Sequence, residues 1–441
     1  MKKGLGLLLA LLMVFTLFGS ASAELEPMTD EEITLVFGAW DMCDQYAPVL
    51  ELSIAAFTEA YPNITVERMY LDTGTLNSDL LNMAAAGTLP DVYITFDMPG
   101  AVQSGWAADV TDFLENDPDA DAIMDSYLEL SQIAGRNYAI PAYTYPYVTI
   151  VNTTMIEKYN LEIPDADWTW DEYEELGNAL AHYEDYNFGF GGHSLYRWYL
   201  AIMDGQSSYG WDGTSYNFSD DWVESLLIQA DYRDSHTWEG FDSDEDKIAA
   251  VGSADVWIPG AGIIGLFTDY NWASDSFLKF YSVKTSQNFV IYPQPLGETD
   301  NAMAAVDFCV ISPSCEYQRE AYELSKWIVW GEQACMDRVN YYEEAGVASI
   351  RNLPVITTDS VWEAFSAHSG DNIKLFDSIR NYIPEASYIA PGYDELQTWL
   401  DDNEIIDGIM TGAIDGYAIL DELNSVAAEK VEEYFSNLII D

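Results

Sequence analysis

Apolar and polar positions alternate along this chain in a repeating order from Ile33 onward. Ile33 to Trp40 is a continuous apolar run, the pattern of a strand covered on both faces. Leu50, Ile54, Phe57 and Tyr61 then recur at helical spacing as far as Pro62, which ends the helix. Ile64 to Leu71 reads as a second strand. Leu76, Leu80 and Met83 line a second helix ended by Gly87 and Pro90, and Val92 to Phe96 reads as a third strand. A β-α-β-α-β order implies a mainly parallel sheet with helices on both faces.

A second series begins after Tyr138. Tyr147 to Val151 is predicted as a strand. Thr169 opens a helix through a T-x-x-E capping box to Glu172, with Tyr173, Leu176 and Leu180 as its buried stripe. Asn288 to Tyr292 and Ala304 to Ser312 read as strands flanking a turn at Gly297. A long helix carries Tyr317, Ala321, Leu324 and Ile328 on one face, and a last one carries Ala427, Val431, Phe435 and Leu438. No internal repeat or low-complexity segment interrupts this order.

Residues 1–23 fall outside it and read as an export signal. Lys2 and Lys3 precede an apolar run from Leu5 to Phe18, and Ala21-Ser22-Ala23 is a small-residue cleavage site before Glu24. The run is shorter than the roughly 20 residues that span a bilayer. The mature chain is therefore expected to begin near Glu24, outside the cytoplasm. The signal carries no lipobox cysteine, so a lipid anchor at that point is excluded.

A mature chain of this length exceeds what one hydrophobic core supports, so two lobes are expected. The net charge is −58, from 75 Asp and Glu against 17 Lys and Arg. Such a field repels nucleic acid and anionic lipid, and disfavours polyanionic ligands. The four cysteines, Cys43, Cys309, Cys315 and Cys335, are too few for a disulfide framework in a chain of 441 residues. Cys315 and Cys335 fall near opposite ends of one predicted helical stretch, which argues against that pair, so one bridge or none is expected.

Several segments, in order, resemble the family 1 extracellular solute-binding proteins of ABC sugar importers, the maltose-binding-protein-like group. They are the first strand ending in Trp40-Asp41, Phe57 to Val66 (FTEAYPNITV), Ala84 to Tyr93 (AAAGTLPDVY) and Gly105 to Phe113 (GWAADVTDF). Asn137 to Asn152 (NYAIPAYTYPYVTIVN), Pro164 to Tyr173, Asp246 to Trp257 (DKIAAVGSADVW) and Asn288 to Ser312 follow. In the family, the segment similar to Asp246 to Trp257 ends in a sugar-stacking Trp.

The resemblance implies a two-lobed, type II periplasmic-binding-protein-like α/β fold that captures a mono- or oligosaccharide and delivers it to ABC permease subunits. It implies crossings near Pro141 to Asn152, Pro293 to Val306 and Ala348 to Thr357. The N-terminal lobe would be residues 24–143 plus 306–350, and the C-terminal lobe 144–305 plus 351–441. A monomer without cofactor, metal or catalytic residues is expected.

The residues agree with a sugar ligand. Thirty Tyr, 18 Phe and 14 Trp make up 14% of the chain. Pyranose rings stack their C–H faces on aromatic planes while their hydroxyls bond carboxylates and amides. Open sheets place such sites at the carboxyl ends of parallel strands. Those positions hold Trp40 and Asp41, Asp72, and Asp97; the second lobe offers Tyr143, Tyr145 and Tyr147, His193, Trp257, and Tyr393 where the family often has an aromatic.

Each has a structural alternative. Trp40 with Asp41 could be a core indole and a helix cap. Asp72 could shape a turn before Gly74, and Asp97 could cap a helix beginning at Pro99. Alternation sends Tyr143, Tyr145 and Tyr147 to one face of a crossing strand. Trp257 lies in a Gly- and Pro-flanked loop, poorly suited to a core, whereas Trp168 and Trp170 beside the capping box read as structural. Polar surface is the simpler reading of His193.

Other chemistry fails on spacing. Asp117, Asp119, Asp121 and Asp125 imitate a calcium loop, but its sixth and twelfth positions are Ala122 and Leu128. The four His hold no metal spacing, and no nucleophile elbow or phosphate-binding glycine loop is present. A secreted glycoside-active enzyme, or the same fold binding a polyamine or cationic peptide, are the alternatives the acidic, aromatic-rich chain leaves open.

Overall fold

The computed structural model describes residues 25–40, 47–299, 301–347, 351–369, 383–384 and 390–438. The predicted first series forms as expected. Ile33–Ala39 (β1) lies between the parallel strands Ile64–Tyr70 (β2) and Val92–Thr95 (β3). Ala47–Ala60 (α1) buries Leu50, Ile54 and Phe57 against this sheet, and Leu76–Ala86 (α2) buries Leu76 and Leu80. Full burial of a side chain such as Phe57 stabilises by about 1.5–3 kcal/mol.

The second series departs from the prediction in the length of one strand. Ile140–Asn152 (β4) runs 13 residues and is buried throughout except at Tyr143. It is joined by Phe188–Gly192 (β5), Ile264–Tyr270 (β6), Phe289–Pro293 (β7) and Met303–Ile311 (β8). Among the described residues the sheet has nine strands, with the order β2-β1-β3-β8-β4-β6-β5, β7 added to β4, and the short strand Ile383–Pro384 added parallel to β8. From Ile140 to Pro146, β4 pairs antiparallel with β8; from Tyr147 to Asn152 it pairs with β6 and β7. One strand thus serves both halves of the molecule and changes partners at Pro146. Gly297 lies between β7 and β8 as expected, but these two strands pair with β4 rather than with each other.

The sequence pattern does not predict β5, because its FGFGG segment carries residues depleted from strands. The glycines are there for contact. Trp170–Leu180 (α4) begins with the predicted box: Thr169 Oγ1 accepts the Glu172 N–H at 3.3 Å, and Glu172 Oε2 accepts the Thr169 N–H at 2.7 Å. This helix lies so close to β5 that a Cβ on Gly177 would meet the Phe190 ring at 2.0 Å. Trp168 and Trp170 are buried beside it, and the Trp168 indole N–H donates to the Pro293 carbonyl at 3.1 Å, in keeping with their structural reading.

Leu195–Asp204 (α5) and Asp220–Asp234 (α6) pack with Tyr393–Asp402 (α9) and Leu420–Asn437 (α10) into a third, largely helical core. Two predicted helices need correction. The stretch from Tyr317 to Ile328 is Gln318–Ser325 (α7) followed by a π turn, and Gly331 in extended geometry separates it from Glu332–Ala345 (α8). Cys315 and Cys335 are therefore not on one helix; with Cys309 they are buried free thiols, while Cys43 lies outside the described residues. In α10 the buried stripe is Leu423, Ala427 and Tyr434, and Phe435 is exposed. The helix is turned so that the Tyr434 hydroxyl donates to the Pro99 carbonyl at 2.8 Å, a bond Phe435 could not make.

Gly177→Ala separates two opposed effects. Alanine is favoured by about 1 kcal/mol in a helix interior, but here the added methyl overlaps Phe190. Overpacking costs about 1–3 kcal/mol, so urea unfolding should show a net loss of stability.

Candidate functional site

The carboxyl ends of the parallel strands in both halves converge on residues 143–147 of β4. On the first half, Trp40 follows β1, half-buried, with its indole 5.9 Å from the Phe96 ring after β3. Trp40 shares a cavity of about 40 Å³ with Tyr143, Arg338, Tyr342 and Asn352, room for about one water. The Arg338 guanidinium is buried, lies 4.7 Å over the Tyr143 ring, and donates to the carbonyls of Asn352 at 3.0 Å and Val329 at 2.8 Å.

On the second half, β6 ends at Tyr270 and leads directly into Trp272, an indole 38% exposed. Trp272 is held at 4.1 Å from the Tyr270 ring and 5.1 Å, edge to face, from Tyr145. Tyr147 donates its hydroxyl to that of Tyr270 at 3.0 Å, and its ring lies 5.1 Å from His193. The chain Tyr145–Trp272–Tyr270–Tyr147–His193 is one continuous aromatic train, exposed at Trp272, half-buried at His193 and buried at its three tyrosines.

Each expected site residue has a definite place. Tyr145 and Tyr147 are buried; the Tyr145 hydroxyl donates to Asp307 Oδ2 at 2.6 Å. His193 is not free polar surface: its Nε2 is 3.4 Å from Asp269 Oδ1. Trp257 is 48% exposed on one side, its other side packed on Phe267, Phe277 and Tyr281 at 5.4–6.0 Å. Asp72 is exposed and its Oδ1 accepts the Gly74 N–H at 2.8 Å, which shapes the turn. Tyr393 is buried in the third core, 5.7 Å from the Tyr209 ring. Asp41 lies outside the described residues.

Asp97 caps Met98–Gln103 (α3), accepting the Gly100 N–H and the Asn77 Nδ2 amide, both at 2.8 Å. Burial, and next the charge of Asp394 at the head of α9, push its carboxyl up to about 6. Two of the calcium-like aspartates, Asp117 and Asp119, are paired with Lys326. Asp117 also opens the 3-10 turn Pro118–Ala122. Among the described residues no group of three or more His, Cys, Asp and Glu could hold a metal ion, and no helix is long and apolar enough to cross a membrane.

The sequence reading missed Trp272, Asp269 and Glu239. Trp272 follows an apolar strand as Trp40 does, so the same logic would have found it had β6 been read. Glu239 carries no local signal; it is brought to the end of β5 by the chain following α6. Its Oε1 accepts the Gly192 N–H at 2.7 Å, and burial pushes its carboxyl up to about 7. Gly192 is required there. It has φ +103°, and a Cβ would meet the Thr268 carbonyl oxygen at 2.0 Å.

Residues 44–329, more than half of the chain, match the model of the bacterial extracellular solute-binding proteins. The chain belongs to that family. The fold of this solute-binding protein is also similar to solved structures. An ABC substrate-binding protein from Listeria monocytogenes, in complex with cycloalternan, matches with TM-score 0.70 and 16% identity over 91% of this chain and 100% of that one. A solute-binding protein from Thermotoga lettingae bound with α-D-tagatose matches with TM-score 0.65 and 17% identity, covering 91% and 99% of the two chains. The cyclic α-maltosyl-1,6-maltose binding protein from Arthrobacter globiformis matches with TM-score 0.66 and 14% identity, covering 92% and 99%. These neighbours share the two-lobed α/β architecture, and they and the family are binding proteins rather than enzymes.

The raised carboxyls make stability depend on pH. Glu239 rises from 4.5 to about 7 and Asp97 from 3.8 to about 6 on folding. Between those limits the folded state holds more protons than the unfolded one, so stability falls as pH rises from about 4.5 to 7. Glu239→Gln keeps the Gly192 bond and should remove part of that fall, on the order of 3 kcal/mol. Chemical unfolding at pH 5 and pH 7.5 measures it; equal slopes for both proteins would rule out the assignment.

Proposed function

We propose that this protein is the extracytoplasmic substrate-binding component of an ABC transporter. It captures a mono- or oligosaccharide between its lobes and delivers it, chemically unchanged, to membrane permease subunits. The observation that carries the reading is the pairing of partly exposed indoles, Trp40 and Trp272, at strand ends of the two sheet halves, each beside polar groups. Sugar rings stack on such platforms and bond carboxylates with their hydroxyls. The family supports extracellular solute binding, and the neighbours that hold cycloalternan, tagatose or cyclic maltosyl-maltose support a carbohydrate.

In this reading Trp40, Tyr143, Trp272, His193 and Trp257 face the ligand, while Tyr145 and Tyr147 hold Trp272 and His193 in place. Asp97 borders the cleft on the first lobe, residues 24–143 plus 306–350; the second is 144–305 plus 351–441. The leader is removed near Ala23 and Glu24, and the mature protein acts as a monomer outside the cytoplasm.

A thermal-shift screen against sugars, polyamines and basic peptides tests the assignment, because a ligand bound only by the folded state raises the melting temperature. A sugar is expected to stabilise the protein and to be recovered intact; a hydrolysed product at catalytic protein concentration would overturn the binding role. Trp272→Ala should weaken sugar binding by about 1–3 kcal/mol without unfolding the protein.

Salt distinguishes ligand classes. A neutral sugar gains nothing from a field of −58, so its affinity should hardly change with ionic strength. A polyamine or basic peptide would lose affinity several-fold once the Debye length falls below about 10 Å. Isothermal titration at two salt concentrations decides between them.

A further inference from the structure

The last helix, α10, is anchored in one half of the molecule and ends in the other. Leu423 and Ala427 pack in the helical core with α5 and α6. The Asn424 side chain bonds the N–H and the carbonyl of Phe218 there, at 2.7 and 3.0 Å. Two turns further on, Tyr434 and Leu438 leave that core and pack on the one that holds β1 to β3. The buried Tyr434 hydroxyl donates to the Pro99 carbonyl of α3 at 2.8 Å. β4 joins the two halves as part of the sheet, whereas α10 meets α3 through side chains and can part from it without disturbing a strand.

A carboxyl group is shut into this contact. Asp97 precedes α3 and is only 7% exposed. Its oxygens accept the Gly100 N–H and the Asn77 amide, both at 2.8 Å. Across the contact it faces Asp394 and Glu395 in the first turn of α9 and the Tyr434 phenol of α10; on its own side stand Asn77 of α2 and the Tyr93 phenol of β3. Among the described residues no basic side chain pairs with it, and Lys430 of α10 pairs with Glu433 at 3.0 Å. Burial first, and the charge of Asp394 second, disfavour an ionised Asp97, which is why its carboxyl is pushed up to about 6. Burial and the charge of Asp97 push the Tyr434 phenol up as well, so it remains a donor throughout that range.

We propose that the contact of α9 and α10 with Asp97 and Pro99 is a pH-sensitive latch between the lobes, shut while Asp97 holds its proton and loosened when Asp97 ionises against Asp394 and Glu395. In the lobe assignment above, Asp97 and Pro99 belong to the first lobe and both helices to the second. The sign follows from linkage. Closure raises the affinity of Asp97 for its proton, so the proton favours closure by the same factor. With Asp97 at its ordinary 3.8 in the open form, the closing equilibrium would fall about tenfold between pH 5 and pH 7.5. The latch rests on the two-lobed capture reading and adds its regulation: a ligand between the lobes is enclosed more firmly in acidic than in neutral surroundings.

Small-angle X-ray scattering of the ligand-free protein tests the latch without any sugar. Wild type is expected to have a larger radius of gyration at pH 7.5 than at pH 5. Asp97→Asn, in which an amide replaces the neutral carboxyl, should stay compact at both. Asp394→Asn combined with Glu395→Gln removes the opposing charges and should be more compact than wild type at pH 7.5. Tyr434→Phe, which removes the bond to Pro99, should be more expanded than wild type at pH 5, and melting curves establish that each variant is folded. Glu239 and Asp204 are also raised, to about 7 and about 6, but both lie within the second lobe. An expansion with pH that persists in Asp97→Asn would therefore overturn the latch, as would identical scattering of wild type at the two pH values. Either result leaves sugar capture standing, whereas failure of every sugar to stabilise the protein would overturn capture and leave the latch intact.

Discussion

Pairing along β4 is the constraint on which the rest of the structure depends. Its 13 residues must satisfy backbone donors and acceptors in two different neighbourhoods, first against β8 and then against β6 and β7. Buried backbone groups left unpaired are costly, so the register of this one strand ties the two halves together and sets where their other strands end. Trp40 comes to lie beside Tyr143, and Tyr270 opposite Tyr147, because those strands are measured out from β4. The site is a consequence of that register rather than of any local motif.

Aromatic packing then converts register into a surface. Tyr145, Tyr147 and Tyr270 give up their exposure to position Trp272 and His193, the two members that remain partly open. Buried phenols need hydrogen-bond partners. Here Asp307 takes the hydroxyl of Tyr145, and Tyr147 and Tyr270 bond each other. Rings fixed in this way offer a flat platform with little left to order on binding, which favours affinity for a rigid ligand.

The large negative charge acts chiefly outside this arrangement. Where carboxyl groups are drawn from water, wholly at Asp97 and in part at Glu239, burial raises them toward neutrality. Arg338, by contrast, is a buried cation placed over Tyr143 and bonded to two backbone carbonyls. Its charge is met by a π face and carbonyl dipoles, so the net charge of the chain says little about the field at the strand ends.

The amino-acid sequence alone determined the elements with strong periodicity: β1 to β3, α1, α2 and the Thr169 capping box all stand where the apolar spacing and capping residues put them. It also determined Trp40 as a strand-end residue and Trp168 and Trp170 as core, since each follows from a neighbour within a few positions. Only the tertiary structure decided the remainder. Glycine-rich β5 is a strand because α4 presses against it, and no propensity records that contact. Glu239 and Gly192 are 47 positions apart and meet through a single hydrogen bond. Whether Tyr147 faces solvent or Tyr270 depends on which strand pairs with β4, and Tyr434 is buried in place of Phe435 because Pro99 offers a carbonyl. Local patterning specifies which face of an element is apolar; only the packed neighbour specifies what that face meets and which polar atoms remain for a ligand.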